Sequence, residues 1–528
     1  MKKLKLTFLT GVLLFCVLIQ SSAFSQSIVS SYFVELSDKD GVTFDPLAYF
    51  DSKTISRRIM HNIPIDDKTD YPLRSDYVQQ VENIVTTHTA TSRWFNGIAV
   101  VASDEQIMLV RELPFVKSIT ELTGESSLCS ISEKTVSNSQ LELLRMQTCR
   151  MGGDLYKEAD IDGKGVRVAI FDAGFPGVDV HPAFQHLRDG NRILKTWDFV
   201  KDRENVYDYN SHGASCLSCI AGMYEGEKIG LATGAEFLLA RTEQSREPFS
   251  EEVNWLEAAE WADKNGADII SSSLGYTHHR YFREEMNGSS LVARAANMAA
   301  RKGILVVNAM GNDGEKENWH YVGTPADADS VLAIAGIDPY SDYHINFSSY
   351  GPTASGVRKP NVAAYGHAFL AKKKGFGDAF GTSFATPLVS GFAACALQTN
   401  PSLSAMELFA EIEASGDLYP YYDYAHGYGV PQADYFLNLK EKASPSFTST
   451  WLDDGLHIIA LNNPRQYDYP NSNYMYYQLI DSEDNILEYK VVTIYSDDVI
   501  TIDPEKHEKA AAITVFYNGF MNTISLKN

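Results

Sequence analysis

Apolar positions recur along the chain in three different ways, and each way predicts a different kind of structure. Residues 31–36, Ser-Tyr-Phe-Val-Glu-Leu, read as a strand, and residues 77–86 as a helix with Val78, Val81 and Val85 at helical spacing. Residues 94–101 and 115–119 read as further strands and 104–111 as a second helix, which together make a small α+β unit. Residues 123–139 are rich in Ser, Thr, Glu and Asn, carry few large apolar groups, and predict an exposed linker.

The pattern then changes. Residues 166–171, Val-Arg-Val-Ala-Ile-Phe, form a near-continuous apolar run suited to a strand buried on both faces, and 235–240, 268–272, 304–309 and 331–335 are similar. Helical patterns lie between them. Residues 251–265 set Trp255, Leu256, Ala258, Ala259 and Ala262 on one side and stop at Gly266; the Ala-rich stretch 289–302 stops at Gly303. Strand and helix alternating in this way predict an α/β fold, a doubly wound parallel sheet with right-handed connections. After about Ala443 short strand patterns at 457–461, 474–479, 486–495, 511–517 and 523–526 are separated by Asn, Asp, Pro and Gly, which predicts a small antiparallel β-domain. The expected units are therefore 27–122, a linker at 123–139, an α/β domain at 140–442 and a β-domain at 443–528.

Charge and the N-terminus narrow the function classes. The 528 residues carry a formal net charge of −23, which argues against a partner with a phosphate backbone, so no nucleic acid is expected. Lys2, Lys3 and Lys5 precede an uncharged stretch from 6 to 19 and a small-residue exit, the pattern of a secretory signal peptide spanning residues 1–25. Cys16 lies inside the apolar run behind bulky Phe15, a poor setting for a lipid anchor. No later apolar run reaches the roughly 20 residues of a membrane span, so none is expected once the signal is removed. Export to the medium, the periplasm or the cell surface is left open. Five cysteines remain after Cys16, too few and odd in number for a disulfide scaffold. Cys216 and Cys219 read as core residues, whereas Cys129 and Cys149 could form a bridge. No Cys/His spacing suits zinc, so no metal site is assigned.

Three polar positions sit where such a sheet would present them. Asp172 follows directly on a strand, and ligands meet open parallel sheets at the carboxyl ends of strands. His212, in Ser-His-Gly-Ala-Ser, opens an apolar helical stretch. Ser383, in Gly-Thr-Ser-Phe-Ala-Thr-Pro, precedes another, and Pro387 is expected in its first turn. A serine hydroxyl needs a base to take its proton, and the base needs a third group to fix its tautomer. Asp172, His212 and Ser383 supply those types, in one of the known chain orders for the triad. Asn312, after the strand pattern at 304–309, has an amide to offer a developing oxyanion beside the Ser383 backbone N–H.

These segments resemble the motifs of the subtilisin-like serine proteases, the subtilases. Gly-Thr-Ser-Phe-Ala-Thr-Pro-Leu-Val-Ser-Gly at 381–391 is similar to the family's serine motif, 211–215 to its histidine motif, 172–174 to its aspartate motif and 310–314 to its oxyanion-asparagine segment. The resemblance spans about residues 140–440. It implies catalysis by Asp172, His212 and Ser383, an oxyanion donor in Asn312, and substrate binding by Ser271, Ser272, Ser273, Leu274 and Gly275, which resemble the strand that pairs with substrate. Ala173, Ala214 and Leu217 depart from the usual residues without removing a catalytic group. His212 argues against the sedolisin branch, which uses Glu there.

Trp94 to Val100 and Leu113 to Ile119 resemble the family's inhibitory propeptide, with the stretch 38–75 as an insertion. This implies a zymogen in which the chain's own propeptide occupies the cleft and is cut in the linker. The partners implied are protein or peptide substrates and that propeptide. No cofactor is needed for the chemistry, and structural calcium is left without assigned ligands. Two other readings stay open: an inactive subtilase fold used for binding or surface display, and a non-peptidase serine hydrolase. The lack of a Gly-x-Ser-x-Gly elbow at Ser383 weighs against the second.

Overall fold

The computed structural model describes residues 29–122, 137–244, 250–278, 280–461, 473–495 and 498–526. The expected signal peptide, most of the expected linker and Cys129 lie outside them.

The N-terminal unit is an antiparallel four-stranded sheet in the order Thr87–Ser92, Gly97–Ser103, Val29–Leu36, Val116–Leu122. Its core includes Val34, Val81, Ile98, Val100 and Val110. Helix Asp104–Arg111 starts at a capping box in which Ser103 and Gln106 bond each other's backbone, with Asp104 and Glu105 in its first turn, where negative charge suits the helix dipole. Helix Ser75–Glu82 ends sooner than its apolar spacing suggests, because Thr87–Ser92 is itself a strand. That strand carries no large apolar residue, and only Ala90 and Ser92 face inward. The stretch 38–75, expected to be an insertion, holds the helices Pro46–Tyr49 and Ser52–Met60.

Seven parallel strands form the central sheet, in the order Val362–Tyr365, Val331–Ile337, Leu305–Ala309, Ile269–Ser272, Arg167–Asp172, Glu236–Arg241, Ile193–Asp198. The two outermost strands are those the apolar pattern did not predict: Ile193–Asp198 carries Lys195 and Thr196, and Val362–Tyr365 is only four residues long. Helices Ser250–Lys264 and Leu291–Arg301 cover one face, and Gly266 and Gly303 past their ends take φ of +76° and +89°. The other face is covered by His212–Ala221 and Thr382–Thr399, with Ala405–Ser415 beside them. Helix Asn138–Cys149 opens on a Ser137–Gln140 capping box, so the end of the expected linker is already ordered.

Strand order reverses between Arg167–Asp172 and Ile269–Ser272, which opens a crevice at their carboxyl ends. The sheet of the N-terminal unit packs on the helical face: Phe33, Trp94, Ala99 and Leu122 share one apolar core with Trp255, Ala259 and Ala296.

Beyond the α/β domain lie two small antiparallel sheets, Phe447–Leu452, Gly455–Ala460, Val499–Ile502 and Ile486–Thr493, Tyr474–Ile480, Ala512–Tyr517, Phe520–Ser525. Leu456, Ile458, Met475, Ile513 and Val515 fill the space between them. The tyrosines of Tyr474–Ile480 are packing residues: Tyr477 faces this core and Tyr476 meets Tyr421 of the α/β domain. Among the described residues no helix is long and apolar enough to cross a membrane.

Candidate active site

The crevice at the strand reversal gathers Asp172, His212, Ser383 and Asn312. Asp172 is the last residue of its strand and is fully buried. Its two carboxylate oxygens lie 2.9 and 3.0 Å from Nδ1 of His212, the first residue of helix His212–Ala221. Gly213 permits this approach, since a Cβ there would sit 2.5 Å from the Gly174 carbonyl and 2.8 Å from Asp172 Cβ. With Nδ1–H donating to the carboxylate, Nε2 is left as the basic nitrogen. Burial alone would lower the His212 pKa, but the Asp172 carboxylate outweighs it and holds the imidazole well above its ordinary value.

Ser383 is the second residue of helix Thr382–Thr399, where backbone N–H groups have no intrahelical partner. Its hydroxyl donates to the Ser273 carbonyl at 3.2 Å and, among the described residues, bonds nothing else, His212 included. Pro387 lies in the second turn rather than the first, inside the helix. Proline has no N–H, so the Ser383 carbonyl loses the helical donor it would have had. Two side chains replace that donor: the Ser273 hydroxyl at 2.8 Å and the Cys216 thiol at 3.4 Å. A proline four residues after the serine is the one trace of these partners in the sequence, legible only once the helix is known to include Ser383.

Asn312 Oδ1 accepts from the backbone N–H of Thr382 at 2.9 Å and from its hydroxyl at 3.0 Å. The backbone N–H, which can only donate, fixes which end of the amide is oxygen, and among the described residues Nδ2, beside Gly381, has no hydrogen-bond partner.

The five positions expected to bind substrate divide into two groups. Ser271 and Ser272 end their strand fully buried, with hydroxyls engaged by Ser390 at 2.9 Å and Trp255 Nε1 at 3.1 Å, so their side chains offer substrate no contact. Ser273, Leu274 and Gly275 continue past the strand, and the Leu274 carbonyl accepts from Asn308 Nδ2 at 2.9 Å. Of the five, only Gly275 is exposed.

Among the described residues one group of three His, Cys, Asp or Glu side chains has metal-ligand spacing: Asp172, His212 and Cys216. Imidazole and thiol do not suit calcium, which takes oxygen ligands, so the set gives a calcium site no support. Burial also pushes the Cys216 thiol up to about 12, which keeps it protonated beside His212.

The model of the subtilase family matches residues 163–429, about half of the chain. This chain belongs to the subtilase family. The model of the Peptidase S8 propeptide domain of Bacteroidota matches residues 31–139, so the N-terminal unit of this subtilase is its propeptide. The chain is 29% identical over 279 residues to the serine protease AprX of Bacillus subtilis, covering 47% of this chain and 60% of that protein. It is 32% identical over 247 residues to a thermostable alkaline protease of Halalkalibacterium halodurans, covering 46% and 59%. The match thus spans less than two thirds of either relative. Among solved structures, Sphericase matches with a TM-score of 0.44 at 24% identity, over 52% of this chain and 92% of that one.

Proposed function

We propose that this subtilase is an exported serine endopeptidase made as a zymogen. The observation that carries the reading is the Asp172–His212 pair, set in one crevice with Ser383 at a helix N-terminus and the oriented amide of Asn312. In the proposed reaction the Ser383 hydroxyl swings from the Ser273 carbonyl toward Nε2 of His212. It attacks the scissile carbonyl while His212 takes its proton, and His212 then passes that proton to the leaving amine. Asp172 holds the imidazole and stabilises its charged form. Asn312 Nδ2 and the Ser383 N–H receive the oxyanion. Water hydrolyses the acyl-enzyme by the same route in reverse. Substrates are proteins or peptides, the chain's own linker first among them.

The test compares the full chain with its Ser383→Ala variant by gel and intact mass. Cutting within residues 123–139 in the wild type, and none in the variant, is the expected result. Equal cutting in both would refute it. The same masses read the export proposal, which expects residues 1–25 to be absent from protein recovered outside the cell. The hydroxyl of Ser383, bonded to Ser273 instead of His212, favours one other reading, an inactive binding protein on the same fold. Labelling of Ser383 by a serine-reactive phosphonate excludes that reading, and failure to label after the linker is cut supports it.

A further inference from the structure

The propeptide touches the catalytic domain at a second place, far from the crevice. Strand Arg167–Asp172 joins the two: Asp172 lies at its carboxyl end, and Arg167 lies at the other, about 16 Å away at ~3.3 Å per residue. At the amino end sits the inserted helix Ser52–Met60. The buried side chains of this helix are Thr54, Arg57 and Arg58, none of them apolar, while Ile59 and Met60 face solvent. A helix added only to enlarge a core would bury the opposite set.

The partners of these buried groups belong largely to the catalytic domain. Arg57 pairs with the Asp263 carboxylate and donates to the carbonyls of Ala267 and Lys302. Arg58 joins the same Asp263 at 2.5 Å, and the Thr54 hydroxyl bonds the Asp263 carbonyl. The exchange also runs the other way. Lys302 of the catalytic domain reaches back to Asp67 and Asp70 of the insertion, each at 3.0 Å. Lys53 pairs with Asp268 at 2.8 Å on the rim. Next to these contacts a cavity of about 230 Å³ separates Arg57, Met60 and His61 from Leu305, Leu403 and Leu408. The attachment therefore rests on charge pairing and hydrogen bonds more than on close apolar packing.

We propose that this face of the catalytic domain is an exosite for the inserted helix Ser52–Met60, and that it holds the cut propeptide in place and sets the rate at which the crevice is freed. The proposal rests on reading residues 27–122 as a propeptide that blocks the crevice. Two attachments on one rigid body act on each other as a high effective concentration, so neither end leaves while the other holds. Loss of the exosite leaves the fragment held by its sheet on the helical face and by the crevice contact that the zymogen reading supplies.

The test uses the full chain carrying Ser383→Ala, so that the enzyme does not digest its own fragment. The linker is cut with trypsin at Lys134, and the fragments are followed by size exclusion and intact mass. Retention is thus read whether or not the wild type cuts itself, and a failure of the zymogen reading stays distinct from a failure of this one. The expected result is slow release from the nicked parent. Arg57→Met, whose polar partners all lie in the catalytic domain, should speed release by about 30-fold or more, the scale for truncating one member of a buried charge pair. Lys53→Met at the rim should speed it by only a few-fold. If Arg57→Met gives no soluble chain, the parent and Lys53→Met still decide. A parent that sheds the fragment as soon as it is nicked overturns the exosite, and so does release at one rate in parent and variants.

Discussion

The two ends of the central sheet both hold buried charge, but they use it in opposite ways. At the amino end Asp263 accepts two guanidinium groups and Lys302 meets two carboxylates, and Asp263, Arg58, Lys302 and Asp70 are all at most 2% exposed. At the carboxyl end Asp172 faces a single imidazole that is 19% exposed, and the Asn312 amide and the Ser383 hydroxyl keep bonding capacity to spare. A charge saturated with partners is fixed in place and contributes to assembly. A charge whose neighbours keep a free lone pair or a free N–H can still move a proton or receive an anion. The comparison predicts that variants at the carboxyl end lose turnover while keeping their fold, and that variants at the amino end change attachment while keeping turnover.

The largest effect is expected at the proposed nucleophile. Ser383→Ala should lower kcat by about 10⁶, the loss a subtilisin shows when its triad serine is removed, with an unchanged thermal midpoint. Asn312→Ala should lower kcat by about 10²–10³ with KM little altered, again the scale for a subtilisin oxyanion donor. Steady-state kinetics on a peptide substrate measure both. A large rise in KM for the asparagine variant would place Asn312 in ground-state binding instead.

The pH profile follows in size. In the proposed reaction His212 takes a proton only when neutral, so kcat/KM should fall about tenfold per pH unit below its pKa. Because Asp172 raises that pKa, activity is lost on acidification through a midpoint above 6.5, the ordinary histidine value. Asp172→Asn should move the midpoint downward as well as slow the reaction; an unmoved midpoint would show that another group titrates. Ser273→Ala removes one donor from the Ser383 carbonyl, and about 1 kcal/mol of positioning corresponds to about fivefold in kcat. Ser273→Thr keeps the hydroxyl and should restore most of it.

How far the sequence could be read follows the same division. The longer buried strands were legible because burial on both faces leaves long apolar runs, as in Val166 to Phe171, whereas buried Val362–Tyr365 is too short to leave one. Thr87–Ser92 and Ile193–Asp198 were not, because their pairing is held by backbone bonds and a half-polar face. The chemical groups were legible because each of Asp172, His212, Ser383 and Asn312 sits at the end of a recognisable element. Their supports were hidden. Nothing local in Ser273 announces a bond to residue 383, and the second-turn place of Pro387 appears only once the helix is seen to begin at Thr382. Nothing local marks Arg57 and Arg58 either, since their partners Asp263 and Lys302 lie some two hundred residues away in sequence.

The smallest predicted effect sharpens the comparison within the propeptide interface. Glu257 lies on helix Ser250–Lys264 beneath the strand Thr87–Ser92. Burial, then the charge of Glu260 and, more weakly, that of Asp202, push its pKa up to about 8, against the Thr91 amide, which favours the charged form. Departure of the propeptide exposes Glu257 and returns it toward 4.5. A carboxyl group whose pKa is higher in the assembled state stabilises assembly fully below its free value, and that stabilisation is lost as pH rises through the assembled value. Release of the nicked propeptide should therefore be a few-fold faster at pH 9 than at pH 6, a modest change because Glu257 is only partly buried. Glu257→Gln, neutral throughout, should flatten the dependence and slow release at pH 9. An unchanged ratio in the glutamine variant would mean that the titrating group lies elsewhere in the interface, with Glu260, also raised by burial, the next to replace.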